Sequence, residues 1–150
     1  MAWNLALRCK FPDANSLLDW QYNPSYYSWS LGRLVGGAGG HAAQYANHSQ
    51  YQVIVGDYKI VWITQAYYGE GSGIFCLGTA IKTFASASID TGVEHEAEVS
   101  VTDITNGLRI YATGTINPIF HLEEFDLYIK VPKKKLINNR PLVSLINAGL

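Results

Sequence analysis

Glu94, Glu96 and Glu98 alternate along the chain, so a strand there holds all three carboxylates on one face. Glu123, Glu124 and Asp126 add acid in a second segment. Paired carboxylates can hydrolyse glycosidic bonds, and their oxygens suit Ca²⁺. An ordinary solvated acidic face has the same pattern. It is the favoured reading, because no D-x-D-x-D-G loop accompanies these residues. His41 and His48 lie seven residues apart, and His95 and His121 fall in other segments. Neutral imidazole can act as a base or bind metal, yet no pair has a metal spacing such as H-E-x-x-H. Cys9 and Cys76 also fit no metal or catalytic pattern, and two buried thiols are expected. The glycines around Ala38 lack the Lys-Ser/Thr of a phosphate loop, so residues 36–40 read as a surface loop. No G-x-S-x-G is present. The expectation is a protein that is not an enzyme and uses no cofactor or metal.

The densest chemistry is aromatic. Trp20, Tyr22, Tyr26, Tyr27 and Trp29 fall within ten residues, interleaved with Asn23, Ser25, Ser28 and Ser30. Such rings pack a core, or they form an amphipathic surface for a sugar or a protein. Alternation puts Tyr27, Trp29 and Leu31 on one face and Tyr26, Ser28 and Ser30 on the other. These five aromatic residues are the candidate binding residues.

The elements that must position these groups read as β structure. Segment 3–11 is a first strand, ended by Pro12 and Asp13. Residues 15–20 suit a short helical turn capped by Asn15 or Ser16. Segment 26–35 reads as a second strand. Gly56-Asp57 suits a two-residue turn joining 51–55 to 58–67, with Val55 opposite Tyr58. Asn106-Gly107 is the strongest hairpin signal, pairing 97–105 with 108–116. It leaves Ala97, Val99, Val101, Leu108, Ile110, Ala112 and Ile116 on one dry face. Segment 73–89 is one long strand or two with a bend, and Gly78 marks a bulge. Segment 120–131 is the last strand, with a phase slip at Glu123 and Glu124 that a β-bulge produces. About eight strands at this spacing predict an all-β antiparallel sandwich or jelly roll.

The chain of 150 residues suits one domain. The division expected is a sandwich over 1–132 and a C-terminal tail over 133–150. Charged residues make up 15%, and the net charge of −1 exerts no long-range pull on nucleic acid. Residues 61–132 hold three basic residues against nine acidic ones, whereas 133–150 hold Lys133, Lys134, Lys135 and Arg140 with no acid. The tail also contains Leu142, Leu145 and Ile146, too apolar a composition for disorder, and Pro141 suits the first position of a short helix. No run approaches the ~18 apolar residues of a membrane span. Residues 1–8 do not resemble a secretory signal, which points to a virion or cytoplasmic location. The first functional expectation is a structural subunit, such as a virion capsid, tail or fibre component. Its tail, through Lys133, Lys134, Lys135, Leu142, Leu145 and Ile146, joins copies into a homo-oligomer or larger assembly. The alternatives are a carbohydrate-binding module or lectin with a glycan as partner, and a hydrolase using the paired carboxylates.

Overall fold

The computed structural model describes residues 2–36, 41–65, 71–86, 91–113 and 120–130, and the backbone alone of Val131, 136–137 and 140–141. Its strands are β1 (Ala2–Lys10), β2 (Trp20–Gln21), β3 (Tyr27–Ser30), β4 (Arg33–Gly36), β5 (Ala42–Tyr45), β6 (Gly56–Gln65), β7 (Gly71–Leu77), β8 (Ala80–Ser86), β9 (Glu94–Val101), β10 (Leu108–Ala112), β11 (Phe120–Val131), β12 (Leu136–Ile137) and β13 (Arg140–Pro141). Among the described residues a six-stranded sheet runs β3-β4-β11-β6-β9, with β1 also on β11. A five-stranded sheet runs β2-β5-β10-β7-β8. The expected antiparallel β-sandwich of jelly-roll type is therefore the architecture. Among the described residues no helix is long and apolar enough to cross a membrane.

Rings from both sheets fill the interior. Phe75 lies 4.4 Å from Phe84 and 5.3 Å from Phe125, and Phe84 meets Phe120 edge-on at 5.1 Å. All four are buried, and each contributes about 1.5–3 kcal/mol through burial alone. Cys9 and Cys76 are free thiols, both buried. Burial pushes the Cys9 thiol well above its ordinary range, and Asp19 and Asp126 reinforce the shift.

Several local expectations change in the fold. Segment 26–35 is not one strand. Leu31 and Gly32 have φ of 50° and 80°, and they turn β3 back onto β4. Segment 73–89 is likewise a hairpin, β7 with β8, and Gly78 sits in its turn rather than at a bulge. The 3-10 helix Ala14–Asp19 is capped by Asp13, whose carboxylate accepts from the Asn15 N–H at 2.9 Å, and not by Asn15 or Ser16. Pro141 lies in β13, paired with Leu136 of β12, so it opens no helix there. Residues 142–150 lie outside the described residues.

Both expected hairpin pairings are replaced, and for one reason. A strand has two edges, and β6 gives one to β9 and the other to β11. No edge remains for residues 51–55. They cross the strand end instead, where the Ile54 N–H donates to the Tyr58 hydroxyl at 3.1 Å and the Tyr51 and Tyr58 hydroxyls bond each other. With β9 on β6, β10 joins the other sheet between β5 and β7. Asn106 and Gly107 still adopt left-handed φ of 67° and 59°, but they turn the chain from one sheet to the other. The dry face survives this change. Val101, Leu108, Ile110 and Ala112 are buried, with Ala97 and Val99 packed against the core. Ile116 lies outside the described residues.

The phase slip in β11 is present as a register shift between Leu122 and Glu124 against β6. A second irregularity, between Leu5 and Leu7 of β1, decides which way the N-terminus faces.

Candidate functional site

The β1 irregularity inverts one side-chain phase. Leu7 and Cys9 pair with the inward-facing Leu127 and Phe125 and are buried. Before the bulge at Ala6, Leu5 pairs with Tyr128 and Trp3 with Lys130. One inserted residue reverses the face, so Trp3 and Leu5 point outward. Trp3 and Tyr128 are thereby diagonal neighbours on the outer face of the six-stranded sheet.

Lys59 comes from the far side of β11, opposite Tyr128. Its Nζ lies 5.6 Å from the Trp3 ring centroid and 5.1 Å from that of Tyr128. Lys130 Nζ lies 5.4 Å from the Trp3 ring. Along β9, Glu96 and Glu98 rise on the same outer face, as their alternation predicts. Glu96 is 3.9 Å from Lys59, and Ser100 Oγ donates to Asp57 at 2.7 Å. Two adjoining hollows form here. One is lined by Trp3, Asp57, Glu98, Ser100 and Lys130, the other by Trp3, Lys59, Glu96 and Glu98.

The two halves of this face differ electrostatically. Toward β1 the ions satisfy each other: Arg8 donates to both carboxylate oxygens of Asp126, at 3.1 and 3.0 Å, and Glu124 sits between Arg8 and Lys10. Asp126 is buried beneath that pair, and its hydrogen bonds raise the Arg8 pKa further. Toward β9, Glu98 has no ion-pair partner among the described residues. Donors and acceptors beside Trp3 and Tyr128 are thus available to a ligand. An aromatic face takes the weakly positive C–H groups of a sugar ring, and the flanking amines and carboxylates suit its hydroxyls.

The five aromatic residues singled out by sequence are not brought together on one open surface. Trp20 is core, edge-on to Tyr45 at 5.2 Å and Phe125 at 6.1 Å. Tyr27 is core as well: its hydroxyl reaches the His41 and Ile110 carbonyls and accepts from the Ala112 N–H at 3.2 Å. Burial pushes that hydroxyl's pKa up to about 12. Trp29 is half-buried and its indole donates to the Phe11 carbonyl at 2.8 Å. Tyr26 is half-buried and stacks on His41, with centroids 3.7 Å apart. Tyr22 is half-buried against the core. The tail residues Lys133, Lys134, Lys135, Leu142, Leu145 and Ile146 lie outside the described residues. Among the described residues no three His, Cys, Asp or Glu side chains group so as to hold a metal ion.

Trp3, Leu5, Leu7 and Cys9 share one parity in the sequence, so plain alternation places all four on one face and leaves no signal for an outward Trp3. Tyr128 left a usable signal, an outward ring between the inward Leu127 and Ile129.

The sandwich has a solved counterpart. The fold is similar to that of the CBM22-1 xylan-binding domain of Xyn10C from Paenibacillus barcinonensis. The match covers 87% of this chain and 97% of that one, with a TM-score of 0.54 and 11% sequence identity. That likeness is one of fold. No protein-family model and no curated protein matches the chain.

Proposed function

We propose that this chain is a non-catalytic, glycan-binding β-sandwich domain whose ligand stacks on Trp3 and Tyr128. The observation that carries the reading is the pair of outward rings on adjacent strands, bordered by Lys59, Lys130, Glu96 and Glu98. The lysines cover half-buried rings through cation–π contacts worth on the order of 0.5–2 kcal/mol each, which a stacked ligand must replace. Sharing a fold with a xylan-binding domain supports a carbohydrate ligand over the assembly reading. The carboxylates on β9 act here as hydrogen-bond acceptors for sugar hydroxyls.

A glycan array followed by calorimetry tests this. Trp3→Ala and Tyr128→Ala each lower affinity at least tenfold while the melting temperature holds. A blank array, or full binding by both variants, overturns the reading. Assembly through residues 133–150 is a separate proposal that rests on composition and charge alone.

A further inference from the structure

We infer that the groove on the outer face continues over the β9 edge into a slot between the sheets, and that this slot takes an anionic substituent, a carboxylate or a sulfate ester, on an extended glycan. The inference rests on the glycan reading above and adds the ligand's length and charge.

Continuity comes from shared walls. The hollow beside Trp3 and Lys130 shares Glu98 with the next, and that one shares Glu96 with the slot. From Ser100 to His95 the β9 backbone runs roughly 16 Å at ~3.3 Å per residue, more than a single pyranose ring spans. The slot itself has a volume of about 300 Å³, at the lower limit for small-molecule pockets.

The slot opens where β8, the edge of one sheet, faces β9, the edge of the other. Its floor is the buried Trp62 with Phe84. His95 stacks over Trp62, with centroids 5.6 Å apart and planes at 25°. Lys82 forms the rim from β8. It takes the register position opposite Phe75, which directs an amine toward the gap between the sheets. Lys82 is half-buried and has no carboxylate within 4.0 Å among the described residues. The buried Trp62 indole N–H has no hydrogen-bond partner among the described residues. Glu96, the acid on the rim, is engaged by Lys59 at 3.9 Å on the outer face. Lys82 thus brings to the slot an ammonium without a carboxylate partner among the described residues, and a charge-assisted hydrogen bond favours an anion there over a neutral group.

The test titrates the full chain with three ligands built on β-1,4-linked xylotetraose: unsubstituted, carrying a glucuronosyl branch, and carrying a sulfate ester. At least one acidic ligand should bind about tenfold tighter than the neutral one, and the stronger of the two identifies the anion. Lys82→Gln should erase that gain and leave the neutral ligand's affinity unchanged, whereas Lys82→Arg should keep it. Equal affinity for all three ligands, or a gain that survives in Lys82→Gln, overturns the inference while the glycan reading stands. Failure of all three ligands to bind overturns the inference, and the glycan array decides the glycan reading by itself.

Discussion

Lys59 and Trp3 meet although they lie on strands that do not touch: β11 separates them, and the Lys59 ammonium reaches over it to the Trp3 ring at 5.6 Å. Both groups are half-buried, and a contact of this kind adds on the order of 0.5–2 kcal/mol. Lys59→Met should therefore lower stability by no more than about 2 kcal/mol in urea. A larger loss in the denaturation midpoint would show Lys59 to be a structural strut rather than a movable cover on a binding surface.

Tyr27 ties the two sheets together. It stands on β3 in one sheet, and its hydroxyl accepts from the Ala112 N–H of β10 in the other at 3.2 Å. Tyr27→Phe keeps the ring and strands a buried N–H, at a cost of about 1–3 kcal/mol. Chemical denaturation should show that loss, and an unchanged midpoint would mean water replaces the hydroxyl.

His121 gives the fold an acid-side weakness. Arg33 Nη1 lies 3.1 Å from His121 Nδ1. Guanidinium only donates, so that nitrogen must accept and the ring is neutral. Burial, then Arg33, lowers the His121 pKa below its ordinary 6.5. The unfolded chain thus takes up a proton that the folded one refuses. The contribution of His121 is fully present above about pH 6.5 and is lost as the pH falls toward the folded-state pKa. Thermal melts from pH 7.5 to 5 should show a falling midpoint, with a shallower fall in His121→Gln. Parallel slopes in the two proteins would assign the acid sensitivity elsewhere.

Two glycines with the same φ of 59° should respond unequally to alanine. At Gly107 an added Cβ meets only the flexible Gln44 side chain at 3.6 Å, so the cost is the left-handed backbone, about 1–2 kcal/mol. At Gly78 the Cβ would sit 1.9 Å from the Asp103 carbonyl oxygen. That corner is also held by the Gly78 N–H donating to the Gly107 carbonyl at 2.7 Å. Gly78→Ala should be clearly the more destabilising, and equal midpoints would refute the tight approach.

Deleting residues 133–150 tests the assembly proposal. The sandwich should keep its far-ultraviolet spectrum while any oligomer seen by size-exclusion chromatography with light scattering is lost. An oligomer that survives the deletion removes the tail from that role.

The sequence by itself determined the β class, the left-handed turn at Asn106-Gly107, the bulge in β11 and which side chains of β9 and β10 face inward. These are local matters: alternation sets a face, and a left-handed residue sets a turn. Pairing was decided by tertiary structure, because Gly56-Asp57 and Asn106-Gly107 each suit a hairpin, yet β6 offers only two edges and β9 and β11 take both. The site divides in the same way. The Glu96 and Glu98 face was legible from alternation, and Tyr128 could be read from the phase of its neighbours. Trp3 could not, since the inserted Ala6 turns it outward through a register visible only against β11. Conversely, the dense aromatic stretch contributes Trp20 and Tyr27 to the interior, where burying large rings stabilises the fold more than exposing them.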